Sequence, residues 1–203
     1  MHGKLMLLKL PAVHFPFISR QGAISCNCLY NFTKSRNMNP LKKQRTYEFG
    51  LVEDNLEAAK SLTGLEYLEQ MMNGAIAPAP AVSTNAIEAV KCAYGYAEFA
   101  LTAEDFHFNA VGSVHGGVIT TLLDTAMGCT LMTTLDADTT FTTLELKVNF
   151  LKAVTKKSGK LYAKGNIIHA GRTTAYIEAH LVDEDERIFA HAVSTCLILE
   201  KRR

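Results

Sequence analysis

The sequence has no stretch that would cross a membrane. Its longest nearly uncharged run, Gly116 to Leu135, is interrupted by Asp124 and is rich in glycine and threonine. An aspartate at mid-span costs about 2.5–3.5 kcal/mol even on lenient insertion scales. A secretory signal is missing too. The apolar patches Leu5–Leu10 and Val13–Ile18 are broken by Pro11, Pro16 and lysine, and no small-residue cleavage site follows. Acids are absent from residues 1–47, which carry eight Lys or Arg. The remainder holds 13 basic against 20 acidic residues, a net −7. A mildly acidic body excludes the basic footprint of a nucleic-acid-binding domain. The five cysteines are odd in number, and only Cys26 and Cys28 lie close together. A lone C-x-C without further ligands at metal spacing does not make a metal centre. Reduced thiols in the cytoplasm are the expectation. There is no internal repeat and no low-complexity tract.

What is present is an ordinary globular composition, 48% hydrophobic and 20% charged over 203 residues. Three regions are expected. Residues 1–50 form a basic leader, either disordered or the product of a start placed too early, with Met38 as the working start. Residues 51–82 form a helix and a connector. Leu56, Ala59, Leu62, Leu65, Leu68 and Met72 recur at three- and four-residue steps, which predicts a helix over Asn55–Asn73. Ala75–Val82 is a Pro/Ala segment expected to be extended. Residues 83–200 form the main domain.

In that domain the period changes to two. Val90–Ala97 reads as a first strand, and a polar loop with Glu104, Asp105, His107 and Asn109 follows. Gly116–Leu135 reads as a helix apolar on nearly every side, hence buried. Thr143–Leu151, Lys160–His169, Thr173–Val182 and Ile188–Leu199 read as four strands. In the first of these, Leu144, Leu146, Val148 and Phe150 face one way and Glu145, Lys147 and Asn149 the other. Polar turns at Lys156–Gly159 and Asp183–Arg187 suggest sequential antiparallel connections. The fold class is α+β, with an antiparallel sheet wrapped around a long central helix.

Asp124 is the one ionisable group of that helix. A buried carboxylate is costly unless it is paired, so it is a candidate for chemistry. Its structural alternative is a thin exposed strip shared with Thr120, Thr121 and Gly128. Ser113-Val114-His115-Gly116-Gly117 opens the helix. Helix-start N–H groups lack intrahelical partners and sit at the positive end of the dipole, where a carbonyl oxygen gaining charge is stabilised. Gly117 and Asp124 are seven residues apart, roughly 10 Å along a helix. One substrate carbonyl cannot touch both, so two copies of the chain must supply them.

Three motifs carry a family resemblance. They are Asn109–Thr125 with its His115-Gly116-Gly117, Thr142–Phe150, and His169–Ala175. Together they resemble the hotdog-fold acyl-CoA thioesterases of the phenylacetate-degradation (PaaI) type, over about Ala89–Leu199. The resemblance implies dimers that often pair into tetramers. It makes Asp124, nine residues after His115, the nucleophile or general base. It gives the oxyanion to the backbone N–H of Gly116 or Gly117 on the partner chain. Asn109 would lie near the reacting carbonyl, with a plain turn role as its alternative. Thr143 would help position water, against a plain strand threonine. His115 is read as shaping the turn more than as a base. Gly171-Arg172-Thr173 resembles a turn near the coenzyme, and Arg172 with Lys147 would meet its phosphates. Coenzyme A is part of the substrate; no metal, flavin or nucleotide cofactor is called for.

The leading expectation is hydrolysis of acyl-CoA to a free acid and coenzyme A. A hotdog dehydratase of hydroxyacyl thioesters, using a loop histidine with the helix carboxylate, is a second reading. A third is a non-catalytic acyl-CoA binding module, which needs no carboxylate at position 124. A fourth makes the basic N-terminus a membrane or nucleic-acid tether. The acyl group itself is not legible.

Overall fold

The computed structural model describes residues 42–200. The apolar patches before Pro11 and Arg20, Cys26, Cys28 and Met38 lie outside the described residues. The chain divides into two units, 1–44 and 45–203; of the first, only residues 42–44 are described, and these three are in neither helix nor strand.

Six strands form the antiparallel sheet: β1 (Glu88–Ala93), β2 (Tyr96–Thr102), β3 (Thr139–Phe150), β4 (Lys160–Ala170), β5 (Thr174–Val182) and β6 (Ile188–Glu200). Four helices accompany them: α1 (Val52–Ala58), α2 (Gly64–Met72), α3 (Pro80–Thr84) and α4 (Gly116–Met132). The sheet order is β1-β2-β4-β5-β6-β3, and α4 packs across β2, β4, β5 and β3. This is the hotdog architecture. No helix among the described residues is long and apolar enough to cross a membrane.

Four expectations change. The single helix over Asn55–Asn73 is two helices. Thr63 starts the second with a capping box, its hydroxyl accepting from Glu66 N–H while the Glu66 carboxylate accepts from Thr63 N–H. Gly64 lies so close to α4 that a Cβ there would sit 1.8 Å from the Met132 carbonyl oxygen. A continuous helix would have to run through that contact. The Ala75–Val82 connector is not wholly extended, because Pro80 opens the short α3; a proline at the first turn loses no helical hydrogen bond. The strand over Val90–Ala97 is a hairpin turning at Tyr94-Gly95, where Gly95 takes φ +75° and donates its N–H to Thr133 Oγ1 at 2.8 Å. β4, β5 and β6 are sequential antiparallel neighbours as expected, but β3 does not neighbour β4. β3 pairs only with β6 and is an edge, so the chain crosses the sheet's end before entering β4.

The helix expectation holds in kind. Ile119, Leu122, Leu123, Ala126, Met127, Gly128, Thr130 and Leu131 of α4 are buried. They meet Phe99, Leu101, Ala163, Ile177, Ala179 and Leu181 of the sheet. Close approach needs small residues on both sides. A Cβ on Gly165 of β4 would lie 2.1 Å from Thr130 Oγ1 and 2.9 Å from the Ala126 carbonyl oxygen. Thr130 is not free to yield, since its hydroxyl accepts from Ala97 N–H at 3.1 Å. Gly165→Ala is therefore expected to destabilise the fold by about 1–3 kcal/mol, the usual cost of overpacking. A lowered urea midpoint with an unchanged slope checks this.

Candidate active site

The segment before α4 is tied down from two sides. Val114 N–H donates to Val154 O at 2.9 Å, and His115 N–H to His107 O at 2.8 Å. His107 is buried, 1% exposed. Its Nδ1 accepts from Glu104 N–H at 3.1 Å, so Nε2 carries the proton and donates to Asn85 O at 2.8 Å. In the sequence His107 belongs to a polar loop, and nothing local marks it as buried.

His115 is the N-cap of α4, and its Nδ1 accepts from Gly117 N–H at 2.9 Å. The choice between Gly116 and Gly117 as the expected oxyanion donor thereby narrows. Gly117 N–H is already used by its own chain, while Gly116 N–H has no acceptor among the described residues. Gly116 is also where a ring comes close: a Cβ there would lie 3.2 Å from Phe150 Cζ. Asn109 holds the loop. Its Oδ1 accepts from Val111 N–H at 3.0 Å and Ser113 N–H at 3.2 Å, and its Nδ2 donates to Ser113 Oγ at 3.0 Å. Asn109 and Gly116 share a cleft of about 370 Å³ with Ile119, Phe150 and Val154.

Asp124 lies two turns further along, half-buried, facing β3. Its Oδ1 accepts from Thr143 Oγ1 at 3.1 Å. The exposed-strip alternative describes it in part, since Thr120 and Thr121 are half-buried as Asp124 is, and fails at Gly128. Thr120 and Thr121 turn their hydroxyls back onto Gly116 O and Gly117 O, and Gly128 is buried against the Phe141 ring. Thr143 owes its aim to a β-bulge. It pairs with Cys196, whereas Glu145 pairs with Thr195, and Leu144 is the extra residue. The expected alternation therefore breaks: Leu146 and Val148 pack on the core, but Leu144 is 59% exposed. Ser194 clamps the bulge by donating to Glu145 O at 2.9 Å.

Two thiols neighbour this carboxylate. The sulfur of Cys129 is enclosed although the residue as a whole is half-buried; desolvation, then the charge of Asp124, pushes it up to about 12. Burial also raises Cys196, against hydrogen bonds from Ser194 and Thr143. Both stay protonated at neutral pH, so neither is an activated nucleophile.

The remaining expected site residues do not join it within one chain. Gly171 and Arg172 line a separate cleft of about 560 Å³ with Tyr94, Asp136, Thr139 and Asn166. Thr173 is exposed and offers its carbonyl to Ile198 N–H at 2.8 Å. Lys147 is exposed on β3, on the face away from α4. A third cavity, of about 260 Å³ and mostly apolar, is lined by Leu56, Leu62, Tyr67, Met132 and Phe141.

The model of the thioesterase superfamily matches residues 111–190. ComA2 of Bacillus subtilis, named as a candidate esterase, is 33% identical over 91 residues, 44% of this chain and 71% of ComA2. The chain belongs to the thioesterase superfamily. The 1,4-dihydroxy-2-naphthoyl-CoA hydrolase of Listeria monocytogenes is 28% identical to this thioesterase over 120 residues, 59% of this chain and 94% of that protein. The crystal structure of smu.793 from Streptococcus mutans, bound to acetyl CoA, matches with a TM-score of 0.52 and 27% identity. That match covers 58% of this chain and 91% of the other. The protein is thus a thioester hydrolase.

The buried His107 gives the thioesterase a pH signature. Desolvation, reinforced by the nearby Arg45 cation, lowers its pKa below the usual 6.5, outweighing the raising effects of Asn85 and Glu104. The unfolded chain therefore binds the proton more readily than the folded one. Stability is expected to be fully present above about pH 6.5 and to fall as pH drops through that value toward the lowered folded pKa. Melting curves from pH 7.5 to 5 check it, and His107→Gln should flatten the slope.

Proposed function

We propose that this thioesterase is an acyl-CoA hydrolase of the PaaI, His-Gly-Gly type. It would act as a homodimer or homotetramer. The observation that carries this reading is the Asp124–Thr143 pair in the seam between α4 and β3. The Thr143 hydroxyl holds Oδ1 and leaves Oδ2 to attack the thioester carbonyl or to take a proton from water. In the second route water adds to the carbonyl carbon and its proton passes to Asp124. The tetrahedral intermediate then collapses, the C–S bond breaks, and the proton goes to the departing coenzyme A sulfur.

The oxyanion needs a donor that Asp124's own helix cannot bring. Gly116 lies eight residues away, about 12 Å along the axis. The partner subunit's Gly116 N–H supplies it in this reading. The open edge of β3 supports such pairing: it has a sheet neighbour on one side only, and Leu144, Phe150 and Leu151 are exposed along it. In the dimer, Arg172 and Lys147 would contribute charge for the coenzyme phosphates. The acetyl CoA bound to smu.793 and the CoA thioester named for the Listeria relative support that substrate class. The apolar cavity begins at Phe141, whose ring covers Gly128 one turn beyond Asp124, and suits the acyl chain. A dehydratase would need a free histidine, whereas His115 spends Nδ1 on Gly117.

Thiol release from phenylacetyl-, benzoyl-, hexanoyl- and palmitoyl-CoA tests the reading. Asp124→Asn is expected to cost about 10²-fold or more in kcat. Thr143→Val should cost about 10–100-fold, the worth of a hydrogen bond to a charged group. Turnover that survives Asp124→Asn would refute the mechanism. Binding without turnover of any substrate would favour the ligand-binding module instead. Arg172→Ala should raise KM for acyl-CoA and leave KM for an acyl-pantetheine, which lacks the nucleotide phosphates, unchanged.

A further inference from the structure

The face of the sheet turned away from α4 carries a second cluster that the hydrolysis does not use. On β5, Ile177, Ala179 and Leu181 point into the core, so Glu178 and His180 lie on the opposite face. On β6, Ala190 and Ala192 are buried, so His191 lies on that same face. His180 and His191 are direct cross-strand partners with ring centroids 4.6 Å apart. Glu178 sits one pleat along, its Oε2 3.5 Å from His191 Nε2. One ligand atom from each of the three residues lies within 4.8 Å of the other two.

The geometry points to a binding site for a borderline divalent transition metal, of which zinc is the representative, held by Glu178, His180 and His191. Two imidazoles and a carboxylate are the donor set such ions favour, with a fourth position left for water. Ligand atoms around a tetrahedral ion at 2.0–2.1 Å stand about 3.3 Å apart. The His191–Glu178 separation is already close to that, and small side-chain rotations would bring in His180. The scaffold is suitable because all three residues stand on paired strands in a fixed register. The neighbouring cation is compensated: Lys164, opposite His180, is ion-paired with Glu186. On the other side His191 faces the neutral Asn149 of β3. The cluster is half-buried, which leaves an entry path from solvent. A metal there would clip β5 to β6. It lies outside the catalytic seam and takes no part in the proposed hydrolysis.

The test is zinc titration of the full chain after chelator treatment, read by calorimetry and by melting temperature, with cobalt substitution for the visible spectrum. One ion per protomer, a raised melting temperature, and a cobalt spectrum without thiolate charge transfer are expected. His180→Gln and His191→Gln should each weaken zinc binding by more than the roughly 10–100-fold that loss of an outer partner costs. Their metal-free melting temperatures show that each variant still folds. Glu178→Gln should weaken binding less than either histidine change, because the amide oxygen still has a lone pair. Unchanged affinity in both histidine variants would overturn the assignment. So would a thiolate band, which would put the ion on cysteine, or no saturable binding at all.

Discussion

Everything in the thioesterase depends on how closely one apolar helix can be laid against the sheet. The α4 helix has almost no polar face, and its neighbours are trimmed to let it in. Gly165 makes room for Thr130 and the Ala126 carbonyl, Gly64 for the Met132 carbonyl, and Gly128 for the Phe141 ring. Close packing of this kind leaves little freedom to slide. The register between α4 and β3 is therefore tightly constrained, and with it the meeting of the one acid of α4 with a strand hydroxyl.

That meeting gives the site its chemistry. In this seam the thiols of Cys129 and Cys196 are held protonated, while the carboxylate of Asp124 is oriented by Thr143. The start of the same helix supplies a different resource, a backbone N–H beneath Phe150 with no acceptor among the described residues. A rigid helix keeps the two about 12 Å apart. In our reading this separation is what makes catalysis a property of two chains rather than one. The open edge of β3, which carries both Thr143 and Phe150, is the natural place for them to join.

The two glycines at the start of α4 illustrate how similar residues divide their work. Gly117 lets the His115 imidazole fold back over the first turn; a Cβ there would lie 3.0 Å from Nδ1. Gly116 clears the approach to a free donor. His115 spends its lone pair on a cap, and His107 spends one nitrogen on its own loop at Glu104 and the other on Asn85 at the end of α3. In our reading the histidines near the site serve its geometry, and the acid is left to act.

The sequence by itself determined the α+β class, the burial of α4, the isolation of Asp124 and the impossibility of one helix serving both ends of a substrate carbonyl. These are local matters of period and rise per residue, written in contiguous residues. Tertiary structure alone decided the rest, because it depends on which distant segments lie side by side. The close seat of Gly64 on α4, just inside the locally written Thr63–Glu66 cap, is a contact between distant segments. The position of β3 at the edge follows from strand pairing that crosses the sheet. The aim of Thr143 comes from a bulge set against β6, and no local pattern announces a single extra residue. The convergence of Glu178 and His180 with His191 is likewise a product of register, since residues far apart along a chain become neighbours only when two strands pair.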